Sequence, residues 1–354
     1  MKRKIKPRKD QKQNDRNVRF GKLSKAERLV LIEKVFVRYP RLKKLNAKID
    51  FCRDFSKISA EPECMLITGT KGAGKTTLID WYASGFPVRE SMEKRIIPVL
   101  VVTVPSPATV KGLGSAMLDA IGDPAADKGA VSSITLRMRK YIKDCEVELI
   151  ILDEFQHFDD RQSKNVLKTI SDWLKNVINE THRPIVLVGM PGCESVLENK
   201  GNDQLKRRFS SREEIVPFAW DTKAHVFEFR QLLKEIDAAL PLLEDSHLAD
   251  QETAFLIYSA TDGVINYVMK LLRWAAKLAI ESGTEQIDNS ILADAYEKRL
   301  AQDFPKRPNP FNPLAGAHQR RAPATRANLD RGATNKRVKP RERKQSMSEV
   351  LKHR

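Results

Sequence analysis

The residues with the clearest chemical signature are Gly69–Thr76, which read GTKGAGKT and match the spacing GxxxxGK[ST]. A triphosphate needs backbone N–H groups pointed inward around it, and glycines permit that wrapping and close approach. We expect Lys75 to contact the β- and γ-phosphates, and the Thr76 hydroxyl to ligate Mg²⁺. A chance glycine-rich turn is the alternative, disfavoured because an apolar run precedes the match and a helical pattern follows it. The predicted ATP-binding residues are Gly69, Thr70, Lys71, Gly72, Ala73, Gly74, Lys75, Thr76 and Thr77.

A second signature is the acidic pair Asp153–Glu154, which follows the apolar run Leu149–Leu152. Ligands of open parallel sheets bind beyond the carboxyl ends of the strands, so this pair is expected beside the phosphate loop. Asp153 is then the expected Mg²⁺ ligand, and Glu154 the residue that orients or deprotonates the attacking water. A solvated strand end is the alternative. His157 and Asp159–Asp160 are interpreted as surface or helix-start residues. A metal-ligand role for His157 is the less favoured alternative.

A third candidate is the basic segment Asp203–Phe209, which reads DQLKRRF. An arginine here is a candidate finger that reaches the γ-phosphate of a neighbouring subunit. The alternative is an ordinary basic helix end, which the helix dipole favours.

The elements that must position these residues alternate between short apolar runs and helical segments. Buried strands are predicted at Met65–Thr68, Ile97–Val104, Leu149–Leu152 and Ile185–Val188, with a short fifth at Glu214–Val216. Helices are predicted near 75–86, 108–121, 131–144 and 161–180. The runs lack polar alternation, as strands covered on both faces do, so the fold class is an α/β P-loop fold with a mostly parallel sheet.

Further helical patterns lie on both sides of this region. Ser24 with Glu27 forms a capping-box signature for a helix from Ser24 to about Tyr39, and a second helix follows from about Arg41 to Ile58. After Pro217, helices near 223–239, 247–260, 264–282 and 286–301 predict a small helical lid. The predicted domains are a disordered tail 1–22, N-terminal helices 23–60, an ATPase domain 61–217, a lid 218–303 and a disordered tail 304–354.

The positive charge of the chain lies at its two ends. Residues 1–28 hold 12 Lys/Arg and 3 Asp/Glu, and residues 305–354 hold 14 and 3, whereas residues 29–304 hold 37 and 40. Basic tails favour a polyanionic partner, most often nucleic acid, over solubilising tails. The last residues, SMSEVLKHR, fit a short amphipathic docking helix.

The sequence also excludes several classes of protein. No apolar run is long enough to span a bilayer, and no apolar segment follows the basic N-terminus as in a secretory signal. The four scattered cysteines form no CxxC pair and are expected as reduced core thiols. We therefore expect a cytoplasmic protein without a membrane partner.

The order of phosphate loop, acidic pair, basic segment and helical lid resembles AAA+ ATPases, and within them the TniB/TnsC transposition ATPases. The specific block is Val104–Leu113, which reads VPSPATVKGL, continued by IGDP at Ile121–Pro124. Ile151–His157 and Leu187–Pro191 match as well. The resemblance covers about residues 25–300.

This resemblance implies an ATP-dependent regulator of DNA transposition that assembles on double-stranded target DNA as a helical or ring homo-oligomer. Such a regulator bridges a target selector of the TniQ type to the transposase. It also makes Arg208 the better finger candidate than Arg207. Two positions depart from the pattern: Gly189–Met190 carries no polar sensor, and Asn266 stands where many AAA+ proteins have a sensing arginine, with Arg273 two turns later. Slow ATP hydrolysis is the natural expectation.

In such proteins DNA contacts come from loops that face a central channel. The matching positions here are Lys111, Lys128, Ser132 and Ser133, whose lysines and hydroxyls suit phosphate contacts. Two other functions remain open: a helicase-loading or secretion-linked AAA+ ATPase, and a nucleotide-gated DNA-binding adaptor that scarcely hydrolyses ATP. Secretion is disfavoured by the basic tails and the PSP block, and complete loss of hydrolysis by the presence of Glu154.

Overall fold

The structure is a computed structural model that describes residues 16–92, 94–158, 164–198 and 203–312. The strands are β1 (Met65–Gly69), β2 (Arg89–Glu90), β3 (Arg95–Ile96), β4 (Val99–Thr103), β5 (Leu149–Asp153), β6 (Ile185–Gly189) and β7 (Ser211–Ile215). Five of them form a sheet in the order β4-β5-β6-β1-β7, in which every pairing is parallel. The predicted parallel α/β sheet is thus confirmed. The antiparallel β2–β3 hairpin was not expected from the sequence.

Helices flank the sheet and continue beyond it. They are α1 (Lys25–Glu33), α2 (Pro40–Phe55), α3 (Lys75–Ser84), α4 (Val110–Ile121), α5 (Val131–Asp144), α6 (Lys164–Thr181), α7 (Asp203–Arg208), α8 (Lys223–Ala239), α9 (Gln251–Thr261), α10 (Ile265–Ser282) and α11 (Asn289–Arg299). Short 3₁₀ turns follow β5 and β6, at Phe155–Phe158 and Cys193–Val196.

Alternate residues of β1, β4, β5 and β6 enter two different cores, which explains why these four strands carry no polar alternation. Met65 and Ile67 of β1 pack with α1–α3 and the C-terminal helices, whereas Leu66 packs with α4–α6. The carboxyl ends of these strands are thereby held beside one another. This is the edge of the sheet where the phosphate loop and the acidic pair were expected to meet.

The first predicted helix is shorter than expected. The Ser24–Glu27 capping box is present, but α1 ends at Glu33 rather than near Tyr39. Val35, Val37 and Tyr39 are buried while Arg38 between them is exposed, an alternation that belongs to extended backbone rather than to a helix. We refer to residues 34–39 as the strap.

Part of each predicted tail has ordered structure. Residues 16–20 are helical, and the buried Arg16 donates through Nη2 to Asp237 Oδ1 at 3.1 Å. At the other end, the Phe304 ring packs on Tyr267 and Arg307 pairs with Asp262 at 2.7 Å. The prediction of disorder for 16–22 and 304–312 is therefore wrong, because aromatic and guanidinium groups in these segments find partners on the helices after β7. Residues 1–15 and the predicted helix SMSEVLKHR lie outside the described residues.

The helices on either side of Pro217 share one core: Tyr39 of the strap contacts Phe218, and Phe218 contacts Phe229 of α8, with ring centroids 5.3 Å and 5.7 Å apart. The division of the chain into an ATPase domain 61–217 and a lid 218–303 stays a prediction.

Candidate functional site

The phosphate-loop residues connect the end of β1 to the start of α3. Gly72 and Gly74 have φ values of +80° and +93°, in the left-handed region that side chains rarely adopt. Gly74 is the N-cap of α3 and provides no side-chain cap, so its first-turn N–H groups have no side chain competing for them. A loop of this shape, followed by an uncapped positive helix end, fits an anion.

Lys75, the first residue of α3, folds its side chain back onto this loop. Its side chain is buried, and Nζ donates to the Gly69 carbonyl at 2.8 Å and the Thr70 carbonyl at 3.2 Å. Burial lowers the pKa of the Lys75 ammonium, whereas the charges of Glu154 and Asp153 act in the opposite direction. A phosphate group placed in the loop would add a further stabilising negative charge.

The hydroxyl and carboxylate predicted to bind Mg²⁺ lie together. The Thr76 hydroxyl donates to Asp153 Oδ2 at 2.9 Å, and the Glu154 N–H donates to Asp153 Oδ1 at 2.8 Å. Burial raises the pKa of Asp153, and these two hydrogen bonds oppose that rise. A hydroxyl and a carboxylate beside a phosphate loop are the hard oxygen donors that Mg²⁺ prefers, so the residues present fit the ion.

Glu154 begins the turn after β5 and has a φ of +56°, in the left-handed region that side chains rarely adopt. Its carboxylate accepts a hydrogen bond from Nε2 of Gln156, whose Oε1 accepts from the Met190 N–H at 3.0 Å. Gln156 was not predicted from the sequence, because a glutamine two residues after Glu154 belongs to no motif. His157 Nδ1 lies 2.9 Å from the Val104 carbonyl, which gives this ring a structural partner. Asp159–Asp160 lie outside the described residues.

A cavity of about 450 Å³ joins these groups to an apolar compartment. Lys75, Thr76, Thr77 and Glu154 line its polar end. Its apolar lining comes from the strap, α2 and α10, through Val35, Val37, Tyr39, Leu42, Ile265 and Met269. Thr77 is exposed in this cavity and does not cap α3. One cavity with an apolar end and a phosphate-loop end has the form of a nucleotide site.

The first turn of α10 closes directly on the phosphate loop. The Asn266 N–H donates to the Gly72 carbonyl at 3.2 Å. Arg273, two turns later, lines the same cavity and donates through Nη2 to the Val35 carbonyl at 3.0 Å. Arg273 therefore connects α10 to the strap, at the apolar end of the cavity.

Arg208 lies at the opposite end of β1 from the phosphate loop, because its carbonyl accepts from the N–H of Cys64, the residue before β1. A strand of five residues separates the two by about 16 Å, at ~3.3 Å per residue. Arg208 Nη1 is buried without a hydrogen-bond partner among the described residues, whereas Arg207 is exposed. An arginine placed here has no short path to the phosphate loop of its own subunit.

The candidate DNA contacts Lys111, Lys128, Ser132 and Ser133 are all exposed. Gly114, about one turn into α4, touches Ile134, about one turn into α5: a Cβ built on Gly114 would lie 2.8 Å from Ile134 Cγ2. Lys111 lies in the first turn of α4, and Lys128, Ser132 and Ser133 lie around the start of α5, so the contact joins the two helices whose starts carry these residues.

The part of the chain that the structure describes offers little support for a disulfide framework, a separate metal centre or a membrane span. Cys52, Cys64, Cys145 and Cys193 are buried, and none of them forms a disulfide. Among the described residues, no group of three or more His, Cys, Asp or Glu side chains is arranged to hold a metal ion. No described helix has both the length and the apolar character that a membrane crossing requires.

The fold is that of AAA+ P-loop proteins, and solved structures of this class match it. Cdc6p from Pyrobaculum aerophilum has a TM-score of 0.56 at 13% identity, covering 79% of this chain and 74% of that one. The ORC2 protein from Aeropyrum pernix, solved as ADPNP-ADP complexes, has a TM-score of 0.54 at 16% identity, covering 77% and 72%. ORC1 from Aeropyrum pernix, solved in complex with DNA, has a TM-score of 0.51 at 16% identity, covering 74% of this chain and 66% of that one. At these identities the likeness shows the fold.

The family assignment comes from sequence. The family model described as bacterial TniB protein matches residues 28–217, more than half of the chain. The chain therefore belongs to the TniB family, as the sequence resemblance indicated. Among curated proteins, none matches the sequence.

Proposed function

We propose that this chain is a Mg²⁺-dependent ATPase. The observation that carries the proposal is the convergence of Lys75, the Thr76–Asp153 pair and Glu154 at one end of a cavity whose other end is apolar. The apolar end suits a nucleobase and the phosphate loop suits its triphosphate.

Each residue then has a distinct role. The loop N–H groups and Lys75 hold the phosphates, while Thr76 and Asp153 hold Mg²⁺, which neutralises phosphate charge when bound. Glu154 orients a water toward the γ-phosphate and accepts its proton. The site is incomplete within one subunit if Arg208 acts as the finger, because Arg208 lies far from the phosphate loop of its own chain.

We further propose that ATP controls assembly of this chain on double-stranded DNA, and that the assembly regulates transposition by bridging a TniQ-type target selector to a transposase. Membership of the TniB family and the strongly basic ends of the chain support this proposal. The exposed Lys111, Lys128, Ser132 and Ser133 offer a surface for phosphate contacts.

The test is ATP turnover measured with and without duplex DNA, with Lys75→Ala protein as the inactive control. DNA-stimulated release of phosphate supports the proposal. Turnover that exceeds the Lys75→Ala background but does not change when DNA is added would contradict the DNA-coupled function. It would favour another AAA+ activity, such as helicase loading.

A second function, a nucleotide-gated adaptor with little hydrolysis, is favoured by one observation. No side-chain donor stands at the end of β6, where Gly189 is followed by Met190, and Asn266 rather than an arginine approaches the phosphate loop. DNA binding that depends on ATP, together with turnover no higher than that of Lys75→Ala protein, would establish this function instead.

A further inference from the structure

The side chain of Gln156 bridges two parts of the candidate site. Its Nε2 donates to the Glu154 carboxylate, and its Oε1 accepts from the backbone N–H of Met190, just past the end of β6. A single amide therefore orients the proposed catalytic carboxylate and ties it to the neighbouring strand.

The end of β6 is shaped to accommodate this amide. A Cβ built on Gly189 would lie 3.1 Å from Gln156 Oε1 and 2.9 Å from Cys193 Sγ. A side chain at position 189 and the Gln156 amide thus compete for the same space. The space beside Gly189 is filled instead by the Gln156 amide, which comes from the turn after β5 and presents its acceptor Oε1 to the end of β6.

We infer that Gln156 is a positioning residue for hydrolysis, which aims the Glu154 carboxylate and couples it to the end of β6. The inference rests on the proposed ATPase function. A glutamate side chain has several rotatable bonds, and a hydrogen bond to Oε2 restricts them while leaving Oε1 available to a water. Small errors in the placement of a reacting group cost large factors in rate, so loss of this restraint lowers kcat.

Two substitutions separate the two hydrogen bonds of the amide. Gln156→Ala removes both, whereas Gln156→Glu retains an acceptor for the Met190 N–H but cannot donate to Glu154 and places a second negative charge beside it. Both are expected to lower kcat at least ~10-fold with KM for ATP little changed, since the effect is confined to the transition state. Gln286→Ala, which removes another amide that bonds the Asp245 carbonyl far from the site, is the matched control and leaves both constants unchanged.

A binding measurement adds a readout independent of turnover. Affinity for ADP with aluminium fluoride, which mimics the γ-phosphoryl group in transfer, is expected to fall in Gln156→Ala protein while affinity for ADP alone stays the same. A merely structural role for Gln156 would weaken both affinities together, and that result would overturn the inference.

The Glu154→Gln background distinguishes failure of this inference from failure of the proposed function. If Gln156 acts through Glu154, Gln156→Ala causes no further loss of residual turnover in that background. If Glu154→Gln abolishes turnover but Gln156→Ala leaves kcat unchanged or raises it, the positioning role is wrong and the ATPase proposal stands. If Glu154→Gln itself leaves turnover unchanged, the catalytic assignment of Glu154 is wrong.

Discussion

At the scale of single residues, Lys75 and the Thr76–Asp153 pair show how closely the phosphate loop and the end of β5 are joined. The Lys75 ammonium bonds two carbonyls of its own loop, and the Thr76 hydroxyl bonds Asp153 directly. These residues were predictable because each belongs to a motif whose spacing is imposed by the phosphates. Gln156 was not, because its importance depends on β6 lying next to β5, which only the folded sheet establishes.

Lys75→Ala should weaken ATP binding about 10- to 100-fold, because a hydrogen bond to a charged group contributes roughly 1.5–3 kcal/mol. Equilibrium binding of a fluorescent ATP analogue measures the effect. Lys298→Ala, which removes an exposed lysine from α11, is the control and should bind normally. Unchanged affinity in Lys75→Ala protein would show that the nucleotide binds elsewhere.

Glu154→Gln should preserve ATP binding and reduce turnover by ~10²-fold or more, within the range that general bases contribute. The amide is nearly isosteric with the carboxylate but cannot accept the proton of a water. Phosphate release at saturating ATP is the measurement. A wild-type rate would mean that another group activates the water.

At the scale of elements, the sheet and most helices were predictable from apolar runs and helical periodicity, and the observed bounds differ by a few residues. The strap was not, because α1 stops where Val35 and Val37 turn inward, a choice set by their burial in the shared core. The short β2–β3 hairpin carries too little pattern to be recognised.

The ordered N-terminal segment gives an element-scale prediction. Arg16→Ala should lower the free energy of unfolding by about 1–3 kcal/mol, because it removes a partner of the buried Asp237 carboxylate. Arg19→Ala removes an exposed neighbour and should change stability by less than ~0.5 kcal/mol. Urea denaturation measures both, and equal effects would show that Arg16 does not anchor the segment.

At the scale of the whole molecule, the proposed finger role of Arg208 implies that hydrolysis requires more than one subunit, because Arg208 lies far from the phosphate loop of its own chain. Arg208→Ala should retain ATP binding but lose turnover and assembly. Mixing it with Lys75→Ala protein should restore part of the activity, since each supplies the group the other lacks. If mixtures give only the diluted sum of the two activities, Arg208 does not act in trans. Arg207→Ala is the matched comparison and should retain activity.

Charge is distributed so that the ends of the chain and residues 16–312 should bind DNA differently. Residues 1–15 hold 7 Lys/Arg and 2 Asp/Glu, and residues 313–354 hold 12 and 3, which leaves a net +3 on residues 16–312. Removing both ends should weaken DNA binding and flatten its salt dependence, because each neutralised phosphate steepens the slope of log affinity against log salt by ~0.9. ATP-dependent assembly should survive in the truncated chain.

Lys111→Ala combined with Lys128→Ala should have the reverse effect in the full-length chain. Binding through the basic ends should persist without ATP, while ordered ATP-dependent assembly fails, because repetition along an oligomer multiplies weak contacts. DNA affinity across a salt series, with and without ATP, measures both proteins. Normal assembly by the double variant would show that these lysines do not face DNA.

The most direct test of the account is electron microscopy of the full-length chain with duplex DNA, in the presence of Mg²⁺ and either a non-hydrolysable ATP analogue or ADP. The account predicts regular oligomers on DNA with the analogue and their loss with ADP, with the nucleotide seated between the phosphate loop and the strap. The account would be contradicted if the particles were identical with the analogue and with ADP, or if Lys75→Ala protein formed oligomers equally well.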